Sequence, residues 1–139
     1  MNHKNGFNPL SRNSAHQRAM FRNMVTSLFR YERIMTTKAK ALEVRKIAEK
    51  LITRSKIDSM HNRRIVARYI QDKVILVKLF VVIGQRMKER QGGYTHVLKF
   101  GFRKGDVANV VFLELIDYKF QKEEANEKKS DKKNSEANA

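Results

Sequence analysis

The chain contains no cysteine and a single proline among 139 residues. Without thiols there is no disulfide framework, no thiolate metal site and no cysteine nucleophile. Long hydrophobic runs are also missing: Val74 to Ile83 is interrupted by Lys78 and reaches about half the length needed to span a bilayer. The opening Met-Asn-His-Lys-Asn-Gly carries no apolar signal core, so no signal peptide and a soluble protein are expected. Neither a G-x-S-x-G elbow nor a phosphate-cradling G-x-x-x-x-G-K occurs. The histidines, His3, His16, His61 and His96, form no pair at i, i+3 or i+4, and no carboxylate cluster accompanies them. The acidic residues read as helix caps, turns or partners for neighbouring bases. No enzyme, metal, cofactor, small-molecule substrate or membrane is therefore expected.

Negative charge is scarce as well. There are 14 Asp and Glu against 30 Lys and Arg, a net charge of +16. A compact chain with that excess repels itself unless a polyanion or counterions neutralise it. Residues 1–56 hold 13 basic and 3 acidic side chains, residues 57–120 hold 12 and 6, and residues 121–139 are neutral with 5 of each. Nucleic acid is the expected partner, and the arm and first two helices are the expected centre of its binding surface. Helix-turn-helix, zinc-finger and basic-zipper patterns are absent. Shape-based RNA recognition fits better, because A-form RNA hides its base edges and is bound through backbone and form.

With 41% apolar residues the length suits one modest core. Residues 1–13 hold Gly6, Pro9, Lys4 and Arg12 without periodicity and read as an irregular basic arm. From Leu10 to Phe29 the apolar residues Met20, Phe21, Met24, Val25, Leu28 and Phe29 recur at helical spacing, with Asn13 or Ser14 available as the cap. Tyr31 to Thr37 suggests a short strand whose last threonines cap a second helix, Lys38 to Lys56, buried through Ala41, Val44, Ile47, Ala48, Leu51 and Ile52. Asp58 or Ser59 caps a third helix facing inward with Ile65, Val66, Tyr69 and Ile70.

DKVILVKLFVVIGQRMKER has the β-branched content of a strand but the length and charges of a buried helix; helix is the favoured reading. Two strands then flank Arg103-Lys104-Gly105-Asp106 as a hairpin, one burying Leu98, Phe100 and Phe102 and the other Val111, Leu113 and Leu115 under the helices. The fold class is α+β, a two-layer α/β domain of order α-β-α-α-α-β-β over residues 1–120. The charged segment 121–139 has no large apolar residue and reads as a disordered tail.

Within this frame Arg12, Arg18, Arg22, Arg30 and Arg33, with Lys4, Lys38 and Lys40, occupy one half of the fold, and arginine's planar fork suits phosphate or stacking on bases. The hairpin adds Arg86, Lys88, Arg90, Lys99, Arg103 and Lys104. Its aromatics Tyr94, Phe100, Phe102 and Phe112 are expected to pack the core rather than stack bases. A nucleic-acid chaperone and a basic interaction protein share the composition; tolerance for duplex DNA marks the first and weak RNA binding the second.

Five segments resemble the bacterial large-subunit ribosomal protein conventionally numbered seventeen: LSRNSAHQRAMFRNM from Leu10, TTKAKALEVR from Thr36, AEKLIT from Ala48, NRR from Asn62 and GGYTHVLK from Gly92. The resemblance covers about residues 1 to 118 in order and spacing. It implies a structural protein of the cytoplasmic ribosome that binds large-subunit ribosomal RNA beside other ribosomal proteins near the polypeptide exit region. It implies phosphate contacts at His3, Lys4, Arg12, His16, Arg18, Arg22, Asn23 and Thr37. Joined to the charge pattern and the N-R-R segment, the expected RNA-binding set also includes Arg30, Arg33, Lys38, Lys40, Arg63, Arg64, Arg90, Lys99, Arg103 and Lys104. Asn2, Gln17 and His96 stand where the family usually carries basic residues, and Arg18 is expected to replace the charge missing at Gln17.

Overall fold

A computed structural model describes residues 1–118; the expected tail from residue 121 lies outside them. Helix α1 is Ser14–Tyr31, strand β1 Arg33–Thr37, helix α2 Lys38–Ser55 and helix α3 Met60–Ala67. Helix α4, Lys73–Lys78, runs through a π turn, Leu79–Ile83, into a short α5, Gly84–Arg86. Strands β2, Thr95–Phe102, and β3, Asn109–Leu115, complete the domain. The architecture is α+β in the expected order.

The helix boundaries follow their caps. Asn13, not Ser14, caps α1: its side chain accepts from the His16 amide at 2.9 Å, satisfying a first-turn donor. The helix therefore starts later than Leu10; Leu10 and Ser11 take positive φ in a turn closed by the Arg12 amide donating to the Pro9 carbonyl. At the other end Glu32 adopts φ 60° and donates its amide to Leu28 at 2.7 Å, a left-handed terminus that delays the strand to Arg33. Ser59 caps α3, accepting from Asn62, whereas Asp58 is held by Arg63. Asp72 caps α4 through Val74.

Phe21, Val25, Leu28 and Phe29 of α1 meet Ala41, Val44, Ala48, Leu51 and Ile52 of α2 in the core. Of the α3 residues expected inside, Val66 and Ile70 are buried and Ile65 and Tyr69 are half-buried. The ambiguous segment is helical, and its π turn buries Leu79, Phe80 and Ile83. Gly84 closes this helix onto α2: a Cβ built there would stand 2.5 Å from the Ser55 carbonyl oxygen.

The sheet is antiparallel in the order β1-β3-β2. Helix α2 packs against all three strands, over Ile34, Val97, Val111, Leu113 and Leu115. This corrects the expected facing of β2. Val97 is in register with Leu113 and Leu98 with Phe112, so the pleat that turns Leu113 inward turns Leu98 outward. Phe100 is the extra residue of a bulge between Lys99 and Gly101, and Phe102 lies beyond it. Leu98 is 42% exposed, Phe100 62% and Phe102 72%. Tyr94, just before the strand, is buried as expected. Thr95 anchors β2 by donating its hydroxyl to Glu49 of α2 at 2.9 Å.

Candidate nucleic-acid interface

The basic arm contains no helix or strand through residue 13, yet its second half is fastened down. Phe7 packs on Phe21 with ring centroids 5.9 Å apart, Lys46 of α2 lies 5.5 Å from the Phe7 ring, and Gln17 donates to the Asn8 carbonyl at 2.7 Å. Gln17, short of a charge, is thus the bracket that ties arm to helix. Its helical spacing to Asn13 was visible in the sequence, but not its partner nine residues away.

On α1, Arg18, His16 and Asn23 are exposed and Arg22 is half-buried, as is Arg12 in the turn before the helix. Arg12 donates to the Leu10 carbonyl at 2.7 Å, which shapes the turn, and the Arg22 guanidinium stands 5.8 Å from the Tyr69 ring, within cation–π range. Burial pushes the Tyr69 hydroxyl above its ordinary pKa, against the opposing pull of Arg22. Tyr69 was read from the sequence only as a core residue; here it also props an arginine. The Nε atoms of Arg12 and Arg22 are buried and have no hydrogen-bond partner among the described residues.

The start of α2 is a second element of the site. Thr37 is its N-cap but makes no capping bond with its side chain, and the first turn holds Lys38 and Lys40 with no acid. Free amides, the helix dipole and two cations all favour an anion there. Asn8, Thr37, Lys38, Leu42, Ala108 and Asn109 line a groove of about 500 Å³, so the arm, the start of α2 and the hairpin turn converge. Glu43 also borders it, but both its oxygens accept from Lys46 at 3.0 Å.

Ion pairing divides the expected residues into two groups. Arg30 pairs with Asp72 at 2.8 Å, Arg33 with Glu114 at 3.4 Å, Arg63 with Asp58 at 2.6 Å and Arg103 with Asp106. The Arg103 guanidinium, followed by the Ala108 amide, lowers the Asp106 carboxyl to about 2. Lys4, Arg12, Arg18, Arg22, Lys38, Lys40, Arg64, Arg90, Lys99 and Lys104 have no carboxylate partner among the described residues. The first six gather on the arm, α1 and the start of α2. His3 lies on the arm at positive φ, exposed. Arg63 and Arg64 are on α3, Arg90 follows α5, and Lys99 and Lys104 are on the hairpin. Among the described residues no three His, Asp or Glu side chains gather as a metal site, and no helix is long and apolar enough to cross a membrane.

A small α+β fold with uncompensated cations on the arm, α1 and the start of α2, and further ones on α3, after α5 and on the hairpin, defines a basic protein built to meet a polyanion. Residues 20–116 match the family model described as Ribosomal protein L17. The chain is 67% identical over 124 residues to the large ribosomal subunit protein bL17 of Treponema denticola, covering 89% of this chain and 69% of that protein. Identity to the bL17 of Treponema pallidum strain Nichols is 66%, over 88% of this chain and 74% of the relative. For Borrelia turicatae it is 58%, over 84% and 94%. The chain belongs to the ribosomal protein L17 family, a family of ribosomal structural proteins and not of enzymes.

Proposed function

We propose that this protein is a structural constituent of the large ribosomal subunit in the cytoplasm, binding large-subunit ribosomal RNA through its arm, α1, the start of α2 and the β2–β3 hairpin. Neighbouring large-subunit proteins near the polypeptide exit region are its protein partners. The observation that carries the RNA contact is the gathering of Lys4, Arg12, Arg18, Arg22, Lys38 and Lys40 without acidic partners. Intramolecular ion pairs would have to be broken before Arg30, Arg33, Arg63 or Arg103 could meet phosphate. Unpaired cations bind at no such cost and release condensed counterions. The hairpin turn reaches the same groove through Ala108 and Asn109, bringing Lys104 towards one RNA surface.

Membership of the family supports this assignment, as does the absence of an acid in the first turns of α1 and α2. Binding of the full chain to a large-subunit RNA fragment, titrated with salt and challenged with duplex DNA, tests it. For six cations on six phosphates the slope of log affinity against log salt should be about −5, or about three decades between 50 and 200 mM on the duplex scale. A slope near −1, or equal displacement by duplex DNA, would refute the reading.

A further inference from the structure

The second half of the arm is folded into a turn that a free chain would resist. The Arg12 amide donates to the Pro9 carbonyl at 3.1 Å, closing the turn over Leu10 and Ser11 at φ 52° and 57°. Both positions are left-handed and neither holds a glycine, so each weighs against the turn in isolation. Local bonds offset part of this: the Leu10 amide donates to Asn8 Oδ1 at 3.1 Å, and the Arg12 guanidinium donates to the Leu10 carbonyl. Tertiary contacts supply the rest. Phe7 covers Phe21, Leu10 packs against the core, and Gln17 in the first turn of α1 donates to the Asn8 carbonyl. Residues 1–6, by contrast, are exposed, and nothing stands within 4 Å of a Cβ built at Gly6.

We infer that Gln17 is a positioning residue for the RNA contact: by holding Asn8 it keeps residues 7–12 folded before RNA arrives, with only the tip of the arm left to order on binding. The inference rests on the RNA-binding reading above. Asn8 borders the groove that also meets Thr37, Lys38 and Asn109, so the bond that fixes Asn8 fixes one wall of that groove. Arg12, half-buried and without a carboxylate partner among the described residues, leaves the same turn. Because two left-handed residues oppose the turn, its order rests on a narrow margin, and removing one bond is enough to depopulate it. A site that is populated only in part loses affinity by that fraction. A phosphate contact at position 17 would act differently, through released counterions and hence through the salt slope. The two roles therefore leave different signatures.

The test uses the full chain, Gln17→Met and Phe7→Ala. Methionine keeps the length, charge and helix propensity of glutamine and removes only the donor, while Phe7 is 40% exposed, so both variants retain the core. Steady-state 15N NOE values of the RNA-free proteins report the order of the arm on the ps–ns timescale. Leu10, Ser11 and Arg12 should match α1 in the parent and fall towards residues 2–5 in each variant. Binding to a large-subunit RNA fragment should weaken by about two- to tenfold in Gln17→Met, the equilibrium weight of one net hydrogen bond, at every salt concentration and with the parent's slope. A mobile turn in the RNA-free parent, a turn that stays ordered in Gln17→Met, or a loosened turn with unchanged affinity would each overturn the positioning role. So would a slope reduced by about one, which marks a direct phosphate contact. A parent slope near −1, or equal displacement by duplex DNA, removes the RNA-binding reading and this role with it, whatever the order of the arm.

Discussion

Substituting Gly84→Ala tests whether the close approach of two helices is what holds the π-bulged segment in place. The added Cβ would stand 2.5 Å from the Ser55 carbonyl oxygen, 3.0 Å from its carbon and 3.0 Å from its Oγ. A methyl carbon rests about 3.3 to 3.6 Å from a carbonyl oxygen, so the helices must part by most of an ångström. The obstacle is backbone in the middle of the core and cannot rotate away. Overpacking of this kind costs about 1–3 kcal/mol, and the gain of alanine over glycine within a helix returns roughly 0.5–1 kcal/mol. The net loss is about 1–2 kcal/mol, a fall in Tm of roughly 4–8 °C for a domain of this size. Circular dichroism at 222 nm, followed through thermal and urea denaturation, reads both quantities. Gly6→Ala is the control, since no atom lies within 4 Å of a Cβ at that position; it should melt with the parent. If Gly84→Ala melts at or above the parent, the proposed steric origin of that glycine is wrong.

Other perturbations separate folding from binding. Glu32 receives Arg86 at 2.6 and 3.0 Å and Lys78 at 3.3 Å, so Glu32→Gln should lower stability by about 1–2 kcal/mol in urea titrations. The Arg86 hydrogen bonds hold the Glu32 carboxyl below its ordinary value of 4.5. Its contribution is therefore complete above that value and declines as pH falls through the depressed one; the difference between parent and Glu32→Gln should shrink on acidification, and a constant difference from neutral pH down to pH 2 would contradict this. Asn13→Ala removes the α1 cap and should cost about 1 kcal/mol, read by the same unfolding assay. Leu28→Ala, at a fully buried site, should cost about 2–5 kcal/mol and leave little folded protein. Arg18→Ala should leave the melt unchanged, weaken RNA binding and reduce the salt slope by about one; unchanged affinity and slope would show that it does not replace the charge absent at Gln17.

Local patterns carried most of the fold. The seam of α1 was legible because Phe21, Val25, Leu28 and Phe29 repeat at helical spacing, and each is buried. The same spacing found the inner stripe of α2. What failed was register. Val97, Leu98, Phe100 and Phe102 offer an apolar residue to each side of β2, and only the pairing of Val97 with Leu113 decides which side meets the helices. That pairing is a property of two strands and a bulge, not of either strand alone. The π turn was hidden for a similar reason, since Leu79 to Ile83 reads as ordinary apolar sequence. For the interface, composition located the basic half but could not tell committed cations from free ones. Arg30 meets Asp72 42 residues away, and Arg86 meets Glu32 54 residues away, so the sorting of charges exists only in the folded chain.

The central claim is that the unpaired cations of the arm and first two helices attach this protein to the large ribosomal subunit. Sedimentation of a cell lysate through a sucrose gradient after a moderate salt wash, with the chain followed by mass spectrometry, tests it most directly. The account predicts co-sedimentation with the large subunit at one copy per subunit, lost when Arg12, Arg18, Arg22 and Lys38 are replaced together by glutamine. Recovery of the parent chain at the top of the gradient, or with DNA, would contradict it.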